Sequence, residues 1–304
     1  MGPVRQKPAK PSFTNHFVGN TIVSAIEALH RKDDYAPSLS SAQLLSQLIF
    51  MFDRGWRGKR NNSTLWVPTE HNNKRRGSEI YIDSTHPSAA ATILSDRQRF
   101  PFLHADILNA TAEDSKDEWY RWLVDSVGLS THPKLVHLTS EVGPERFQLH
   151  EDFRDIMRDQ PTKVILCLLR DNWYQYSKYI ENLESVAQDR EPNVSRRKIR
   201  EILASMPVRC TDGRTFPLSQ TLLPLEPLLK VADGCVPFLD VPQPDDHKWR
   251  STLHCLGVRF EDDMNFYITC LQGLKRVDQP SQARIRNLLE YIQARSGYDQ
   301  EKVR

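Results

Sequence analysis

The longest uninterrupted apolar run in the chain, Val164 to Leu169, has six residues, where a membrane-spanning helix needs about 20. A hydrocarbon-spanning helix is therefore excluded, and a core has to be assembled from short apolar stretches. The chain has 304 residues, a length at which roughly 75% of the unfolded surface can be buried in one large or two ordinary domains. Lys and Arg number 41 against 39 Asp and Glu, a formal charge of +2. So small an excess rules out a surface that is basic throughout, and any basic patch must be local. Pro3, Pro8 and Pro11 stand among Arg5, Lys7 and Lys10 with no apolar core behind them. That is the composition of a disordered arm over residues 1–15 and not of a secretory signal.

Cys167, Cys210, Cys235, Cys255 and Cys270 contain no C-x-x-C pair, so neither a zinc ribbon nor a thioredoxin-type site is supported. An odd number of cysteines without a signal peptide implies reduced thiols and a cytoplasmic or nuclear protein. Cys167, inside the apolar run, reads as a small core hydrophobe.

Apolar residues recurring at helical spacing predict helices over Val18 to Lys32, over Leu44 to Phe52 with Ser40 or Ser41 as cap, and over Asp114 to Gly128 around Trp119, Trp122 and Leu123. Further helices are expected over Phe147 to Met157, Thr162 to Gln188, Asp246 to Leu256, Asp262 to Leu274 and Ser281 to Arg295, with a basic helix through Ile199 and Leu203. The run Val164 to Leu169 could equally be a buried strand. Leu65 to Val67 and Ile80 to Ile82 read as two strands of a hairpin with Glu70 to Gly77 as its loop. The Asp212-Gly213 pair between Val208 and Phe216 signals a second hairpin, because that turn needs positive φ. No repeat of fixed period is visible, which argues against a solenoid. The expected fold is α+β, predominantly helical, with small β-hairpins near 64–83 and 207–217. The domains would be 16–190, mainly helical, and 191–304, a hairpin plus helices packed on the first.

Between residues 54 and 76 the chain changes character. Arg54, Arg57, Lys59, Arg60, Lys74, Arg75 and Arg76 face the single acid Glu70, with Trp56 and Trp66 in the same stretch. If these cations met phosphates, binding would be strongly salt-sensitive. A solvated charged loop is the plainer reading, and nucleic acid is disfavoured as a partner. The chain has no G-x-S-x-G elbow, Walker A loop, G-x-G-x-x-G or H-E-x-x-H, so no catalytic residue, metal ligand or cofactor is assigned. An enzyme would have to gather distant groups such as His104, Asp171 and Cys210.

The order of short signatures is more informative than any one of them. Leu65 to Pro68, Ile80 to Ile82, Phe100 to His104, Trp119 to Leu123, Pro133 to Val136, Leu168 to Trp173, Val208 to Gly213, Thr221 to Pro224 and Phe266-Tyr267 together resemble the region downstream of the GHKL-type ATPase domain in large fungal proteins related to sacsin and NO VEIN. The resemblance spans residues 44–296. The ATPase domain itself would need an Asn-bearing helix and glycine-rich lid motifs, and this chain has only 12 glycines without such a cluster. The resemblance thus implies a non-catalytic interaction or chaperone-associated module with a protein partner, and transfers no active-site residue. The alternatives are an accessory enzyme or protein of a fungal secondary-metabolite pathway, and anionic-ligand or nucleic-acid binding through 54–76.

Overall fold

The computed structural model describes residues 13–58, 65–71, 73–94, 96–138, 147–181, 193–232, 234, 236–274, 282 and 285–293. The fold is α+β and predominantly helical, with small antiparallel two-stranded sheets. It divides into two units, Met1–Lys134 and Leu135–Arg304.

In the first unit, α1 (Phe13–His30) is followed by α2 (Ser41–Asp53). Ser40 caps α2 reciprocally: its hydroxyl accepts the Gln43 amide at 3.2 Å, while the Gln43 side chain accepts the Ser40 amide at 2.7 Å. Both end groups are thus satisfied without water. The buried face of α2, Leu44, Leu48 and Met51, serves a core that includes Leu65, Val67, Ile80, Ile82, Trp119, Trp122 and Leu123. Strand β1 (Trp66–Pro68) pairs antiparallel with β2 (Lys74–Arg76). The second strand therefore lies inside the segment expected to be a loop. Ile80 to Ile82 is instead an extended stretch outside any sheet, where Tyr81 forms isolated parallel bridges to Phe102 and to Ser130. Helix α3 (Lys116–Trp122) continues directly into a π-turn, Leu123–Val127, and ends at Gly128 with φ of 86°. That left-handed geometry favours glycine.

The second unit opens with a hairpin that the sequence reading lacked, β3 (Val136–Leu138) against β4 (Phe147–Leu149). Phe147 to Leu149 was expected to be helical, but the helix begins only at α4 (Glu151–Asp159). The apolar run lies in α5 (Thr162–Asp171), a helix that stops at Asn172 and gives way to short turns over 173–179; residues 182–188 of the expected long helix lie outside the described residues. Then come α6 (Asn193–Ala204), the hairpin β5 (Pro207–Arg209) with β6 (Thr215–Pro217) at the Asp-Gly turn, α7 (Lys248–His254) and α8 (Met264–Leu274). The Arg170 guanidinium lies 4.7 Å from the centre of the Trp249 ring, and Arg196 donates to the Lys178 carbonyl at 2.9 Å. These contacts tie residues 162–178 to the elements that follow.

Each unit contains the same module, bond for bond. The Thr69 amide donates to the Asn73 carbonyl at 2.8 Å as the Cys210 amide donates to the Arg214 carbonyl at 2.8 Å. The hairpins are closed by Gly77 donating to Leu65 at 2.8 Å and Leu218 donating to Met206 at 2.9 Å. A 3₁₀ turn follows in both, Gly77–Glu79 and Leu218–Gln220. Tyr81 then donates to Pro101 and accepts from Leu103, as Leu222 donates to Pro237 and accepts from Leu239. Ile82 donates to Ser130 at 2.9 Å and Leu223 to Arg259 at 3.0 Å. The isolated bridges coincide as well, with Thr69 to Leu103 matching Cys210 to Leu239 and Tyr81 to Ser130 matching Leu222 to Arg259. Each module has a fully buried Trp at the matching place on the helix that precedes its last extended residue, Trp119 and Trp249, with Trp122 buried as a second one in the first unit. The Trp119 indole donates to the Ile107 carbonyl at 2.7 Å and the Trp249 indole to Pro242 at 3.0 Å. Both helices end at a left-handed glycine, Gly128 at φ 86° and Gly257 at φ 85°. The β3–β4 hairpin shares only the closing bond, His150 donating to Leu135 at 2.9 Å, before α4 takes the place of the 3₁₀ turn.

Candidate functional site

The basic segment is the sequence's strongest binding candidate, and β2 sorts its charges. Side chains alternate along a strand, so Lys74 and Arg76 turn to one side and Arg75 to the other. Lys74 donates its ammonium to the Leu39 carbonyl. Arg76, 19% exposed, donates to the His30 carbonyl at 2.5 Å and pairs with Asp33 at 2.6 Å, with its guanidinium 4.6 Å above the Trp66 ring. Both are committed to holding the hairpin against α1 and the chain that follows it. Arg75 is 54% exposed, with Glu79 at 3.8 Å. Arg54 and Arg57 are exposed, Arg54 lying 5.3 Å from the Phe50 ring centre. Lys59 and Arg60 lie outside the described residues. Arg54, Arg57 and Arg75 are thus the described cations of the segment that face solvent.

Two glycines, Gly58 within this segment and Gly77 just after it, lie against the π-turn. A Cβ on Gly58 would lie 2.3 Å from the Ser126 carbonyl oxygen, and one on Gly77 would lie 2.3 Å from the Val127 carbonyl oxygen. Neither contact is tolerable, and backbone carbonyls cannot swing aside as a side chain could. The π-turn carries one residue more than its counterpart: Gly128 is the fifth residue after Leu123, whereas Gly257 is the fourth after Leu253. The carbonyls of Ser126 and Val127, both in the π-turn, are the atoms that stand against Gly58 and Gly77.

Behind β1 lies a buried polar relay that sequence reasoning missed. His30, at the end of α1, is fully buried. Its Nδ1 accepts the Trp66 amide at 3.0 Å, so Nε2 carries the proton and donates to Gln47 Oε1 at 2.8 Å. The Gln47 amide in turn donates to the Tyr35 hydroxyl at 2.9 Å. Burial lowers the imidazole's pKa, the hydrogen bond to Gln47 acts the other way, and the Arg76 charge lowers it further. A histidine at a helix end gives no sequence signal of such a role.

The residues an enzyme would need are each engaged in the frame of the fold. His104 is half-buried and its Nδ1 accepts the Asp106 amide at 3.2 Å, capping a short helical turn. Cys210 lies at the end of β5, where burial pushes its thiol up to about 11. Asp171 accepts the Arg170 Nε at 2.8 Å. Cys255 is raised to about 12, again by burial, with Glu181 adding to the rise. Both Cys210 and Cys255 are protonated at neutral pH and neither is an activated nucleophile. His137 packs edge-on against His150 at 6.0 Å and His254 stacks on Phe260 at 6.3 Å. Among the described residues no group of three or more His, Cys, Asp or Glu could hold a metal ion, and no helix is long and apolar enough to cross a membrane. Compared with known proteins, the chain matches no family model, no curated protein and no solved structure.

Proposed function

We propose that this chain is a non-catalytic interaction module of the chaperone-associated type, working in the cytoplasm or nucleus on a protein partner. The observation that carries this reading is the doubled module. A frame rebuilt bond for bond with different side chains, Thr69 for Cys210 and Ser130 for Arg259, has been kept for its shape and not for a reactive group. The signatures resembling the post-ATPase region of sacsin and NO VEIN relatives coincide with that frame, since Leu65 to Pro68, Ile80 to Ile82, Phe100 to His104 and Trp119 to Leu123 supply its strands, bridges and buried Trp in the first unit. The accessory-enzyme reading has less support because His104, Asp171 and Cys210 already have structural partners. The test pairs two measurements on the full chain. Titration calorimetry with Mg-ATP is expected to give no heat of binding, and light scattering of a heat-denatured client protein is expected to fall in the presence of the chain. Micromolar nucleotide affinity, or scattering unchanged at equimolar chain, contradicts the proposal.

A second reading, anionic-ligand binding, is favoured by one observation: Arg54, Arg57 and Arg75 remain exposed while Lys74 and Arg76 turn inward. Fluorescence anisotropy with a labelled oligonucleotide across a salt series decides it. Binding that steepens as salt falls and is lost on Arg57→Ala with Arg75→Ala supports this reading, and a flat response ends it.

A further inference from the structure

The last described helical stretch, residue 282 and residues 285–293, presents two sides of different character. Leu288 is buried and the Tyr291 ring stacks on Tyr267 at 6.3 Å between centroids, so one side is held by the fold. On another side Gln282, Ile285, Arg286, Leu289, Glu290 and Gln293 recur at spacings of three and four and line a shallow, open depression of about 390 Å³. Such spacing is that of a helix stripe built to meet another helix. Ile285 is half-buried and Leu289 is 51% exposed, an apolar centre open to solvent.

We infer that this stripe is a self-association surface for a second copy of the chain, two helices meeting antiparallel about a two-fold axis. The charges carry the choice of occupant. Arg286 precedes Glu290 by four residues, the weaker order for a pair within one helix, and no ion pair joins them to each other or to another described residue. A two-fold axis placed between them sets Arg286 of each copy opposite Glu290 of the other. The same axis brings Ile285 of one copy near Leu289 of the other and leaves Gln282 and Gln293 at the rims. The patch is self-complementary in charge and in apolar content, as an isologous interface requires. About three helical turns bury less than the roughly 1,200 Å² of a standard interface, so the dimer is weak and dependent on concentration and salt.

The test is sedimentation velocity of the full chain over a concentration series at low salt. The mass is expected to rise from 35.2 kDa towards twice that value. Arg286→Glu alone and Glu290→Arg alone should each weaken association, on the order of tenfold, and the double swap should restore it. Leu289→Asp should abolish association with the thermal midpoint and far-ultraviolet dichroism unchanged, which separates loss of contact from loss of fold. A chain that stays monomeric at every concentration overturns the inference. So does association that ignores the single swaps, or a double swap that fails to restore it, since the face would then meet something other than its own copy.

Discussion

Trp119 and Trp249 occupy one position in two modules, and their neighbours are unlike. Trp119 stacks on Trp122 at 5.1 Å with 14° between the planes and takes Phe52 edge-on at 5.1 Å. Trp249 is covered by the Arg170 guanidinium. The bridging bonds of the two frames match, and each buried ring donates one hydrogen bond beneath a different cover, aromatic in one unit and cationic in the other. At Gly77 and Leu218 the modules differ more deeply. Leu218 is fully buried, while Gly77 has no room for even a Cβ because the Val127 carbonyl stands there. The helix before Gly128 carries one residue more than its counterpart before Gly257, and the first unit has a π-turn there. The entrance to the hairpin differs in a third way. The Trp66 amide needs an acceptor and finds His30, whereas its counterpart Pro207 has no amide hydrogen to satisfy.

These differences can be pressed from the largest expected effect downward. Trp119→Ala and Trp249→Ala should each cost about 3–5 kcal/mol in denaturant unfolding; a much smaller loss at either site would mean that the two positions are not equivalent. Leu218→Ala should cost about 2–5 kcal/mol, and Gly77→Ala about 1–3 kcal/mol by overpacking. A neutral Gly77→Ala would remove the distinction between the modules. The smallest effect is acid sensitivity. His30 is held neutral with a lowered pKa, so the folded state resists a proton that the unfolded chain accepts. The stability it contributes is complete above the ordinary histidine value of 6.5 and is lost as pH falls through the lower folded value. Thermal melts from pH 7.5 downward should therefore show a decline that His30→Gln flattens; an unchanged slope would show that the relay is not what titrates.

Much of the helical skeleton was legible because its physics is local. Ser40 with Gln43 announces a cap, and Trp119, Trp122 and Leu123 repeat at helical spacing. Asp212-Gly213 supplies the positive φ of a tight hairpin, with Gly213 at 82°. Strand β2 was not legible because Lys74, Arg75 and Arg76 show no apolar alternation; its place is fixed by distant acceptors, the carbonyls of Leu39 and His30. Strand β4 was read as helix because Phe147, Phe153 and Ile156 fit that period, although Phe147 and Leu149 are buried around an exposed Gln148 as in a strand. The doubled module escaped notice because its connections differ in length. Tyr81 and Phe102 are 21 residues apart where Leu222 and Phe238 are 16 apart, and the helix after Leu123 carries its extra residue. A repeat conserved in hydrogen bonds and not in spacing leaves no period to find. In the basic segment the residues could be named in advance, but which of them face solvent depends on β2 and on the acceptors beside α1.

The central claim is that an extra residue in the π-turn is what forbids a side chain at Gly77. Deleting Asp125, an exposed residue of that turn, shortens the step from Leu123 to Gly128 to that of Leu253 to Gly257. The decisive measurement is a double-mutant cycle in equilibrium unfolding with Gly77→Ala, the Asp125 deletion and both together. Relief of most of the Gly77→Ala penalty in the deletion background is the predicted result, a coupling of about 1–3 kcal/mol. Additive losses would contradict the account, because the carbonyl above Gly77 would then not owe its position to the inserted residue.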